Sequence, residues 1–137
     1  MDGDERLRVV GKVLRRDSKV VAGYFMSKGV LRTARGGNLG RRPVLGIVAS
    51  QETPRGRYPE LRSRIVSDLS SVAGMHDLDV MVLNDVPAGL KFNVLQHSEG
   101  IYASSWAERV LFEDLAIMEY LDFQMVEELM TEVGGNG

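Results

Sequence analysis

Between Tyr24 and Ser50 the chain carries Ser27, Lys28, Arg32, Arg35, Arg41 and Arg42 around Gly36, Gly37 and Gly40, with no aspartate or glutamate. A basic, glycine-rich loop between two apolar runs suits a phosphate. Backbone amides approach closely at glycines, and cationic side chains supply charge. Phosphate chemistry usually needs carboxylates to hold magnesium as well, and this loop has none. The residues alone leave two readings open: a nucleotide site that has lost its metal, or a basic loop that never held one. The segment DLDVMVLNDVP, residues 77–87, offers Asp79 just before an apolar run. A carboxylate at the start of a strand reaches into a cleft, or simply meets solvent.

Other chemistry is poorly supplied. His76 and His97 have no ligand-spaced neighbours and read as surface or packing histidines. No serine sits in a G-x-S-x-G elbow, and the glycine loop lacks the Lys-Ser/Thr pair of a Walker motif. The absence of cysteine excludes disulfides and thiolate metal sites.

The elements that must position these groups follow from periodicity. Leu7, Val10, Val13 and Leu14 predict an amphipathic helix over 4–16. Val20 to Met26 and Val44 to Ala49 predict strands. Lys28 to Arg35 would form a short helix between them. Pro59 opens a helix carrying Leu61, Ile65, Val66, Leu69 and Val72, which Gly74 stops. Leu78 to Leu83 predicts a third strand. A helix with Leu90, Phe92, Val94 and Leu95 follows, broken at Gly100. Ile101-Tyr102 would be a short edge strand. Ser104 or Ser105 would cap a long final helix reaching about Val133. There is no internal repeat and no linker. The order predicts one α/β domain over 1–133, a small mixed sheet with flanking helices, and a disordered tail at 134–137.

The chain has 137 residues, a single-domain length, and 44% of them are apolar, enough for one core. No apolar run reaches the roughly 20 residues of a membrane span. The charged N-terminus lacks the apolar stretch of a signal peptide, so a cytoplasmic location is expected. A net charge of −2 conceals +9 over residues 1–64 and −11 over 65–137. Such halves are two solvated faces, or a basic face for an anion and an acidic face for a basic partner.

On the last helix, Trp106, Leu111, Leu115, Met118, Leu121, Met125 and Leu129 form a stripe expected to pack on the core. Phe112, Tyr120, Phe123 and Val126 widen the apolar surface beyond it, so Tyr120, Phe123 and Val126 are interface candidates. Glu113, Asp114, Glu119, Glu127 and Glu128 would rim that interface. A homodimer is the expected default, giving way to a heteromer when a partner is present.

Several segments together resemble the minimal nucleotidyltransferase (MNT) family of the DNA polymerase β-like superfamily. They are Asp79, Leu83-Asn84-Asp85-Val86-Pro87, Gly100-Ile101-Tyr102 and Tyr120-Leu121-Asp122-Phe123, with Val20 to Phe25 matching the first strand. The resemblance implies a nucleotidyltransferase-like fold. It also implies a Gly-Ser followed by Asp-x-Asp on the next strand. Here Met26 replaces the glycine and Ser27 remains. Aligned through Val44 to Ala49, the two aspartate places fall on Pro43 and Leu45. Of the three family carboxylates only Asp79 survives. Two-metal transfer needs carboxylates that bridge ions about 3.5–4 Å apart, which proline and leucine cannot supply.

The resemblance further implies a partner. MNT proteins are often paired with HEPN proteins, typically RNA-cleaving toxins, which active members neutralise by transferring AMP to a tyrosine. Three functions compete. The first is a catalytically inactive, antitoxin-like binding protein that needs no cofactor. The second is an active enzyme using ATP and magnesium, with Glu52 or Asp77 joining Asp79 as displaced carboxylates. The third is a nucleic-acid-binding module using Lys28, Arg32, Arg35, Arg41 and Arg42, without an aromatic platform.

Overall fold

The computed structural model describes residues 3–27 and 42–135. The glycine-rich loop, with Lys28, Arg32, Arg35 and Arg41 and the short helix expected at Lys28 to Arg35, lies outside the described residues. Helix α1 spans Gly3–Arg15 and leads to strand β1, Val20–Met26. Strand β2, Val44–Ala49, precedes helix α2, Tyr58–Ala73. Strand β3, Asp79–Val82, is followed by helix α3, Ala88–His97, strand β4, Glu99–Ala103, and helix α4, Trp106–Gly135.

The four strands form one mixed sheet in the order β3-β2-β1-β4. Strand β1 runs antiparallel to β2 and β4, while β2 and β3 are parallel. Every residue of β1 and β2 is buried, as central strands covered on both faces must be. Alternation along the strands sorts side chains between two layers. Leu45, Ile47, Val80 and Val82 meet Val10, Val13 and Leu14 of α1 and Leu61, Ile65 and Leu69 of α2. Tyr24, Met26, Val44 and Val48 form the opposite layer with Leu83 and Val94, against which Phe112 of α4 packs.

Local chemistry fixes the ends. Gly74 adopts φ 64°, a left-handed conformation that ends α2, and the Met75 amide bonds back to the Leu69 carbonyl at 3.1 Å. Ser105 is the cap of α4, its Oγ accepting from the Glu108 amide at 3.2 Å. The Leu-Asn-Asp turn is a clamp: Asn84 accepts from the Ala49 amide at 2.8 Å and donates to the Ala49 carbonyl at 3.1 Å. Gly100 is no helix breaker. It lies inside β4, which is longer than the expected pair Ile101-Tyr102, and a Cβ there would collide with the Arg109 guanidinium. The final helix continues past Val133 to Gly135, and residues 136–137 lie outside the described residues.

The stripe expected to be core faces water. Leu111, Leu115, Met118, Leu121, Met125 and Leu129 are all exposed, as is Trp106. The side of α4 that meets the body carries Arg109, Phe112, Glu113, Ala116 and Tyr120 instead. Length explains the exposure of its distal part. Thirty residues of helix extend about 45 Å at 1.5 Å per residue. The seven residues of β1 span only about 23 Å. The helix outruns the sheet, and every residue from Leu121 to Thr131 is exposed.

Candidate functional site

The C-terminal end of β1 and the N-terminal ends of β2 and β3 meet at one edge of the sheet. Met26 pairs with Val44, and Val44 pairs with Asp79. Ser27 follows β1 and is exposed there. The loop expected to cradle phosphate leaves from this edge and returns to it at Arg42.

Paired residues of neighbouring strands present side chains on the same face, and alternate residues share a face. Asp79 therefore shares its face with Val44, and one step outward from Val44 lies Arg42. The Arg42 guanidinium approaches Asp79 at 3.8 Å, both side chains being about half exposed or more. Leu45 points the other way, wholly buried among the α1 and α2 side chains. Arg42 and Val44 therefore lie beside Asp79, and Leu45 is a core residue of the opposite face. Met26 is likewise a buried member of the layer beside Val44.

These residues do not fit a two-metal centre. Beside the one carboxylate stand a guanidinium and an aliphatic side chain, neither of which offers a hard oxygen donor. The loop contributes no acid in any conformation, because none occurs between Tyr24 and Ser50. The displaced carboxylates do not converge either. Asp77 pairs with Arg6 at 2.9 Å on the α1 side. Glu52 lies beyond the far end of β2, whose Val44 and Ala49 are about 17 Å apart at roughly 3.3 Å per residue. Among the described residues no group of three or more acids, histidines or cysteines is placed to hold a metal.

Two polar clusters escaped sequence reasoning. The first joins Tyr24 to α4. The Tyr24 hydroxyl donates to Glu113 Oε1 at 2.6 Å, and Arg109 Nε donates to the same oxygen at 3.0 Å. Arg109 also lies over the Tyr24 ring at 5.5 Å. Burial, then the bond to Glu113, push the Tyr24 hydroxyl well above its ordinary value of 10.0. The Glu113 hydrogen bond raises Arg109 in turn. The four-residue spacing of Arg109 and Glu113 was a visible signal. Their reach to Tyr24, 89 residues from Glu113, was not. The second cluster is Lys91, buried on α3, which pairs with Glu119 at 3.0 Å and lies near the Phe112 ring. Tyr120 stacks on Phe92 with centroids 4.1 Å apart, so this interface candidate serves the chain's own packing. Phe123 and Val126 are exposed. His76 accepts or donates a bond with Ser70 at 2.8 Å, and His97 lies exposed in the last turn of α3.

No protein-family model and no curated protein matches the chain. Solved structures do. A chain of the MntA-HepT toxin–antitoxin crystal structure aligns with a TM-score of 0.65 over 94% of this chain and 96% of its own, at 15% identity. A structure of a tri-AMPylated Shewanella oneidensis HEPN toxin in complex with MNT antitoxin gives 0.64, over 94% and 95%, at 15% identity. A toxin–antitoxin structure with AMP-PNP gives 0.61, over 93% and 95%, at 16% identity. The fold is that of the minimal nucleotidyltransferases, with a four-stranded mixed sheet and a long C-terminal helix. Among the described residues no helix is long and apolar enough to cross a membrane.

Proposed function

We propose that this chain is an antitoxin of the MNT type that works by binding, capturing a HEPN-type RNase toxin without transferring nucleotide to it. The observation that carries the reading is the Arg42–Asp79 pair at the edge of a nucleotidyltransferase fold. A guanidinium stands beside the one remaining carboxylate, where two-metal chemistry needs more carboxylates. The fold supports the pairing with a toxin, because solved structures that share it are toxin–antitoxin complexes. Cytoplasmic residence belongs to this reading, since an RNase toxin meets its substrate there.

The test is co-expression with the product of the neighbouring reading frame. Relief of that product's toxicity, with no label transferred from ATP in the presence of magnesium, is the expected result. Label transfer that disappears in Asp79→Asn would instead establish an active transferase.

A further inference from the structure

The exposed surface of α4 has a regularity that packing within the chain leaves uncovered. Leu111, Leu115, Met118, Asp122, Met125 and Leu129 recur at alternating steps of four and three, the spacing of a coiled-coil seam. The five apolar members are between 44% and 61% exposed. They span 19 residues, about 27 Å of helix; Leu111 and Leu115 border a groove also lined by Val21, Val48 and Ala49, and the distal members lie where α4 outruns the body. A seam of that kind is made to receive another helix.

Charge decides whose helix it is. Seven acids and no lysine or arginine follow Arg109. A second copy offers no other large apolar face: outside α4, the exposed large hydrophobic residues among those described are Val66 and Val72. A homotypic pair would therefore have to join α4 to α4. Paired through this seam, acid would face acid along both flanks, and Asp122 would enter it on both sides. Like charges along a seam are unfavourable, and an unpaired buried carboxylate is more so.

We propose that the exposed seam of α4 receives an amphipathic helix of a different, basic protein. That helix carries a lysine or arginine opposite Asp122. The inference rests on the reading that the chain acts through a partner, and it names the surface and the chemistry of the pairing. Asp122 is the specificity element. It blocks self-pairing and selects a partner with a cation in register.

Two measurements on the full chain test it. In sedimentation equilibrium at low salt, the wild type is expected to be monomeric at concentrations where Asp122→Leu dimerises, with at least a tenfold difference in self-affinity. A wild type that self-associates as tightly as Asp122→Leu overturns the role of Asp122. In fluorescence titration, a labelled leucine/lysine amphipathic helix is expected to bind at least tenfold tighter than its leucine/glutamate counterpart. Added salt should weaken that preference, and Met118→Glu should abolish binding with the circular dichroism unchanged. Equal binding of both peptides, or undiminished binding by Met118→Glu, overturns the surface. The outcomes separate this inference from the antitoxin reading. If Met118→Glu still relieves toxicity, the toxin docks elsewhere and the seam is wrong. If wild type binds the basic helix yet relieves no toxicity, the antitoxin reading fails and the seam stands.

Discussion

The two faces of the sheet are built differently. Toward α1 and α2, the layer is almost purely aliphatic, and Val10, Leu14, Leu45, Ile47 and Ile65 are wholly buried. Toward α3 and α4, the layer is laced with charge. Tyr24, Arg109 and Glu113 form one polar knot, Lys91 and Glu119 another, and the outer side of α4 is apolar but uncovered. The first face is finished by folding. The second has partly exposed polar groups where it packs and uncovered apolar residues along α4, unlike the usual arrangement of a solvated helix. That contrast argues that stability comes from the first face and interaction from the second.

The largest expected effect separates the faces at one strand. Leu45→Asp places a carboxylate in the aliphatic layer with no partner. It should cost about 4 kcal/mol or more, enough to prevent folding of an ordinary domain. Arg42→Asp, on the opposite face at the exposed edge, should leave the protein folded. Urea unfolding of both variants measures the difference. Similar losses would mean that Leu45 is not on the face assigned to it.

Next in size is Tyr24→Phe, which removes the hydroxyl that ties β1 to α4. Glu113 keeps its bond from Arg109, so the expected loss is about 2 kcal/mol at neutral pH. The pH dependence has a definite sign. The folded state holds the Tyr24 proton above the usual value of 10.0, whereas the unfolded chain releases it there. Stability from this group is thus complete below pH 10 and declines as pH rises further. Tyr24→Phe should flatten that alkaline decline in unfolding experiments from pH 8 to 11. A variant that declines as steeply as wild type would assign the slope to other groups.

The fold was legible where one strong pattern acted locally. The seven residues Val20 to Met26 and the six residues Val44 to Ala49 became strands with those bounds, and Gly74 ended its helix. The side on which α4 packs was not legible. Its exposed stripe is more regular and more apolar than the side that packs, where Arg109, Glu113 and Ala116 stand. Hydrophobic periodicity locates a surface to be covered, but it does not say whether the chain itself covers it. The candidate site was half legible. Asp79 stands at the start of its strand as expected, but which residues share its face was not legible, because strand register decides the face of every side chain. No local pattern fixes that register; the parallel pairing of Val44 with Asp79 does.

A smaller effect tests the uncovered seam. Met125→Ala removes an exposed side chain and should change the stability of the free chain by no more than about 0.5 kcal/mol. The same truncation at Leu14, buried behind the other face, should cost about 2–5 kcal/mol. Equal losses in thermal unfolding would mean that α4 is covered in the free chain and that the two faces are alike.

The smallest effect is expected at Asp79, where the sequence first pointed. Its only ion pair among the described residues is with Arg42 at 3.8 Å, and both side chains are largely solvated. Exposed pairs contribute little because water screens them and two long side chains must be held in place. Asp79→Asn keeps the side-chain shape and removes the charge. Its expected cost is within about 0.5 kcal/mol, and relief of toxicity by the neighbour-encoded protein should be unchanged. In an active transferase the same substitution would remove a metal ligand and with it the transfer. Growth of cells co-expressing the pair decides between the two. Unchanged growth with Asp79→Asn keeps this edge of the sheet out of the mechanism, whereas arrested growth with a normally folded variant returns the carboxylate to a working role.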